Sequence, residues 1–107
     1  MAVNLIDIAS VIRSKNAGPY ELTLDIIFSD RRWYDKVVAA KGINPALICR
    51  LYQVPEKDIL EFVEFEPAAA IKITIRRPRV AGDLGETDVY GAQQHAPLLG
   101  VVLDIAS

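Results

Sequence analysis

Apolar and polar residues alternate most cleanly from Tyr20 to Phe28. Tyr20, Leu22, Leu24, Ile26 and Phe28 fall on one side, with Glu21, Thr23 and Asp25 on the other. Alternation of that length predicts a half-buried strand over 20–28. A second alternating run, Ala70 to Arg76, sets Ile71, Ile73 and Ile75 against Lys72, Thr74 and Arg76. It predicts another strand. Upstream, Leu5, Ile8, Ala9 and Ile12 recur at helical spacing, so 4–12 reads as a helix with Asn4 as its N-cap. Residues 13–19 then form a polar loop, with Gly18 and Pro19 stopping the helix.

Between the two alternating runs lie two helices. Ser29 or Asp30 caps the first, over 31–41, which buries Trp33, Val37 and Ala40 and ends at Gly42. Asn44 and Pro45 have the N-cap and N1 chemistry of the second, which carries Leu47, Ile48, Leu51 and Tyr52 until Pro55 breaks it. Ile59 to Phe65 reads as a strand, and Pro67 marks a bend or sheet edge. Pro78 to Gly85 reads as a loop. Thr87 caps a helix through about residue 95, Pro97 closes it, and Leu98 to Ile105 is a last strand.

After the leading helix that order is β-α-β-β-α-β. The fold class expected is α+β, a ferredoxin-like sandwich with a four-stranded antiparallel sheet in the order 4-1-3-2 and an extra N-terminal helix. One register fits its central pair: Glu21 opposite Arg76, Thr23 opposite Thr74 and Asp25 opposite Lys72. Acid meets base, hydroxyl meets hydroxyl and acid meets base, each pair worth about 0.2–1 kcal/mol. The sheet face carrying these residues is left open, with Ile27 and Val102 as apolar islands.

The chain has 107 residues and predicts a single domain over 1–107. Apolar residues make up 51% and mean hydropathy is +0.21, so the core is dense or a partner covers apolar surface. A net charge of −2 argues against a nucleic-acid partner. No segment has the length of a membrane span, and Met1 to Asn4 lacks the basic start of a secretory signal. The lone Cys49 excludes an internal disulfide, fits a reducing cytoplasm and reads as core.

The topology locates candidate chemistry. Arg13, Ser14, Lys15, Asn16 and Gly18 of the polar loop should meet Arg76, Arg77 and Arg79 after the third strand, and Asp88 and Tyr90 at a helix start. Such a rim of cations and backbone N–H groups suits an anion, a carboxylate or a CoA-type phosphate. Each cation alone also reads as solvated surface, Asn16 and Gly18 also read as turn residues, and Asp88 also reads as a helix-start charge. His95 is either a proton-transfer group or a side chain bonding last-turn carbonyls. Asp88 and His95 are thus the catalytic candidates. No metal ligand set and no cofactor-binding glycine motif is present in the sequence.

Three stretches carry a resemblance: Asp7 to Pro19, Leu22 to Asp25, and Asp88 to Leu99. With them the chain resembles the bacterial DUF4387 family, a domain of unknown function of about this length. More distantly it resembles the small C-terminal ferredoxin-fold domain of acyclic terpene utilisation (AtuA) proteins. There a polar loop follows a Leu-Ala run and an Asp-x-x-Gly-Lys motif precedes the last strand. Arg13 to Gly18 take the loop's place and Asp88 to Gly91 the motif's, while Ala92 stands where the lysine would be, so no lysine role carries over. The resemblance implies a small subunit working with a larger AtuA-like partner in bacterial catabolism of acyl-CoA or branched organic acids. The alternative is a self-sufficient homo-oligomeric enzyme acting on a carboxylate or CoA thioester. The mixed charge of the open sheet face suits a polar interface, either with a second copy in a homodimer or with the larger subunit.

Overall fold

The computed structural model describes residues 2–18, 20–76 and 96–105. Over these the chain runs β1 (Ala2–Asn4), α1 (Leu5–Ile8), β2 (Ala9–Asn16), β3 (Glu21–Phe28), α2 (Arg31–Ala40) and α3 (Pro45–Tyr52). It continues through a 3-10 turn at Glu56–Asp58, β4 (Ile59–Phe65), a second 3-10 turn at Glu66–Ala68, β5 (Ala70–Arg76), α4 (Ala96–Leu99) and β6 (Val102–Asp104). The class is α+β. β2, β3, β5 and β4 form an antiparallel sheet in that order, and β1 pairs with β6 in a separate two-stranded sheet.

The central pairing is the one the charges predict. Glu21 faces Arg76, Thr23 faces Thr74 and Asp25 faces Lys72 along β3 and β5. Because β5 is antiparallel to both neighbours, β3 and β4 run parallel on either side of it, joined through α2 and α3. β5 thus lies between the two strands that these helices connect.

The fourth position departs from expectation. The strand expected over 98–105 was to flank 20–28, giving the order 4-1-3-2; the flank is held instead by β2, pairing Ile12 with Ile26, Arg13 with Asp25 and Lys15 with Thr23. The helix expected over 4–12 is one turn, Leu5–Ile8, after which the chain extends. Val11 and Ile12 are β-branched, and Ser10 and Ser14 are poor helix formers, so the segment gains more by pairing the free edge of β3. Leu5 and Ile8 still reach the core through the helical turn, and Ile12 packs on it from the strand. Asn4 occupies the N-cap position without a capping bond; its amide donates to the Asp7 carboxylate.

The C-terminal segment splits for the same reason. Leu98 and Val101 are three apart and both buried, which suits a helical turn, whereas Val101, Leu103 and Ile105 alternate inward. Pro97 lies within α4, Ala96–Leu99. Val102 lies on β6, away from the four-stranded sheet. The helix expected over 87–95 lies outside the described residues.

The core faces one side of the large sheet. Leu22, Leu24 and Ile26 of β3 and Ile71, Ile73 and Ile75 of β5 are buried with Val37 of α2, Ile48 of α3 and Leu98 of α4. On α2 the buried pair is Tyr34 and Val37; Trp33 is half-buried and Ala40 exposed, so the inward stripe is rotated from the one expected. Lys36 lies 5.1 Å over the Trp33 ring instead. Asp30 and Asn44 cap their helices, accepting from the N–H groups of Arg32 and Leu47 at 2.8 Å. Lys41 takes the left-handed conformation after α2, so the N–H of Gly42 closes on the Val37 carbonyl. Cys49 is half-buried rather than core. Burial pushes the Tyr52 hydroxyl well above its usual range. No helix among the described residues is long and apolar enough to cross a membrane.

Candidate functional site

The expected polar loop over 13–19 begins as a strand, and that changes which of its residues meet. Alternation along β2 sends Arg13 and Lys15 to the face of Thr23 and Asp25, while Ser14 and Asn16 pair with Leu24 and Leu22 on the core side. Ser14 is buried and both cations are exposed. The four residues therefore do not form one cluster. Arg13 already has a partner, its Nε donating to Asp25 Oδ2 at 3.0 Å.

Three of the candidate residues lie at one end of the sheet. After Asn16 the chain turns, with the Ala17 N–H donating to the Glu21 carbonyl at 2.9 Å and Gly18 at φ +138°, a conformation open to glycine. Glu21 faces Arg76 across the sheet, so Asn16, Gly18 and Arg76 share one end. Tyr20, expected to continue the inward face of the strand, sits in this turn and is 54% exposed. Arg77, Arg79, Asp88, Tyr90 and His95 lie outside the described residues. Among the described residues no group of three metal-ligating side chains comes together.

Two features go beyond what the sequence predicts. One is what β2 and β4 add to the expected open face of the large sheet, which runs in rows from β2 to β4. Nearest the turn is the pair Glu21 and Arg76; next come Lys15, Thr23, Thr74 and Glu61, then Arg13, Asp25, Lys72 and Val63, and last Val11, Ile27, Ala70 and Phe65. The face grades from charged to apolar, ending at Phe65, which is 51% exposed. Thr23, at its centre, is buried. The signal for the missing row was the alternation of Val11, Arg13 and Lys15 against Ile12, Ser14 and Asn16, masked by the helical spacing of Leu5, Ile8, Ala9 and Ile12. The other feature is a cleft of about 400 Å³ between the α2–α3 connection and β6, lined by Lys41, Asn44, Arg50 and Asp104 among others. Those residues are too far apart in sequence for any spacing to reveal it.

A family model described as "Domain of unknown function (DUF4387)" matches residues 5–102. The chain belongs to the DUF4387 family. The match runs from α1 into β6 and takes in every candidate position from Arg13 to His95. No curated protein and no solved structure matches the chain.

Proposed function

We propose that this DUF4387 chain is a small accessory subunit that docks on a larger AtuA-like protein and supplies an anion-binding rim, in bacterial catabolism of acyl-CoA or branched organic acids. The observation carrying this reading is the strand-end turn, where exposed Tyr20 adjoins Glu21, the cross-strand partner of Arg76. Tyrosine and arginine are the side chains that most often anchor an interface, giving large contact area and forked donors. Asn16 and Gly18 share that end. In sequence the chain passes straight from Arg76 to Arg77 and Arg79, then to Asp88 and Tyr90. A carboxylate or CoA phosphate held there would sit at the junction of the two subunits.

Co-expression of the chain with a large AtuA-like protein, with capture on a tag carried by the large protein, tests this. The native chain is expected to co-purify, and Tyr20→Ala to weaken the complex about tenfold or more while the circular dichroism stays unchanged. Failure of the native chain to bind, or a Tyr20→Ala chain that binds as the native one does, overturns the reading.

A further inference from the structure

The open sheet face carries an arrangement of charge that fits a second copy of itself. Its acids, Glu21, Asp25 and Glu61, stand on β3 and β4, and its bases, Arg13, Lys15, Lys72 and Arg76, stand on β2 and β5. A two-fold axis lying between two facing sheets and parallel to the strands exchanges β2 with β4 and β3 with β5, keeping each row in place. Every charged residue of the face but one then meets its opposite.

We infer that two copies of this chain pack through these faces about that axis. Asp25 of each copy meets Lys72 of the other, Lys15 meets Glu61, and Glu21 meets Arg76. The apolar row is self-complementary too, since Val11 and Ile27 on one side meet Phe65 and Ala70 on the other. The exception is Arg13, which meets Val63 and is already held by Asp25 in its own chain. A two-fold axis perpendicular to the strands does worse. It lays each strand over itself in reverse and brings the charged end toward the apolar row. Facing sheets cross at about 30°, an offset that the long side chains of Lys15 and Glu61 span. The face is roughly 19 by 23 Å from strand spacing and rise, below the area of stable interfaces and in the range of weak, transient ones, so the dimer dissociates on dilution. Its charged rows make it weaker in salt.

This inference goes beyond the accessory-subunit reading and does not depend on it. The axis places both Tyr20 turns at the same end of the dimer. The test is sedimentation of the chain alone over a range of concentrations at low ionic strength. The native chain is expected to dimerise reversibly. Lys15→Glu and Glu61→Lys, each affecting two contacts, are each expected to weaken the dimer about tenfold or more, and the combined variant to return it to near the native value. Both positions are exposed, so the variants keep the fold. A chain that is monomeric throughout, or a double variant no tighter than the single ones, overturns the inference. So does a face that binds the large protein while the chain alone stays monomeric. Failure of the native chain to bind the large protein, or binding that does not depend on Tyr20, overturns only the accessory reading when the dimer is intact.

Discussion

The central strand β3 has two flanks, and they differ in how each is specified. On one side β5 meets it in a register fixed by side-chain chemistry, with Glu21 against Arg76, Thr23 against Thr74 and Asp25 against Lys72 outward and Leu24 against Ile73 inward. On the other side β2 contributes one outward ion pair, Arg13 with Asp25, and its inward positions include Ser14 and Asn16. β2 also slips by a residue near Ala9, where the register shifts. The β5 flank is held by a buried apolar ladder. The β2 flank is held by backbone pairing, by Ile12, by the Arg13–Asp25 ion pair, by the Ser10 hydroxyl donating to the Ile27 carbonyl at 3.2 Å and by the turn at Gly18. Core packing thus makes β5 indispensable, whereas β2 is an edge that the central strand recruits.

Truncation of the core sharpens that contrast most. Ile73 is fully buried on β5, so Ile73→Ala is expected to cost about 2–5 kcal/mol, and the same truncation at half-buried Ile12 on β2 to cost less. Denaturant unfolding measures both; equal losses would erase the distinction. Next in size is Gly18→Ala. A Cβ there meets no atom within 4 Å, but φ +138° is closed to alanine, so the cost is conformational, about 1–3 kcal/mol. Hydrogen exchange should show β2 amides losing protection while those between β3 and β5 keep theirs. The smallest effect is that of Arg13→Ala. Its ion pair is largely solvated at the arginine, so the loss is about 0.2–1 kcal/mol and fades as salt is raised.

The same contrast explains what could be read from the sequence. The 20–28 and 70–76 strands were legible, register included, because one face is apolar at every second position and the other carries matched charges. Both helix starts were legible because Asp30 and Asn44 with Pro45 have local capping chemistry. The β2 segment was not. Its apolar residues satisfy helical spacing with those of α1, and only the free edge of β3, a tertiary feature, decides for a strand. The exchange of β6 for β2 at the sheet edge follows from that one misreading. Of the candidate residues, the placement of Asn16, Gly18 and Arg76 at one end of the sheet was legible from topology. The outward turn of Arg13 and Lys15 was not, because it depends on strand pairing.

That outward turn completes the charge pattern on which the dimer rests, and intermolecular contacts test it most directly. In a dimer assembled from isotope-labelled and unlabelled chains, isotope-filtered nuclear Overhauser spectra should show methyl protons of Val11 and Ile27 in one copy close to the Phe65 ring of the other. No intermolecular signal between these residues, or signals that place β2 over β2, would contradict it.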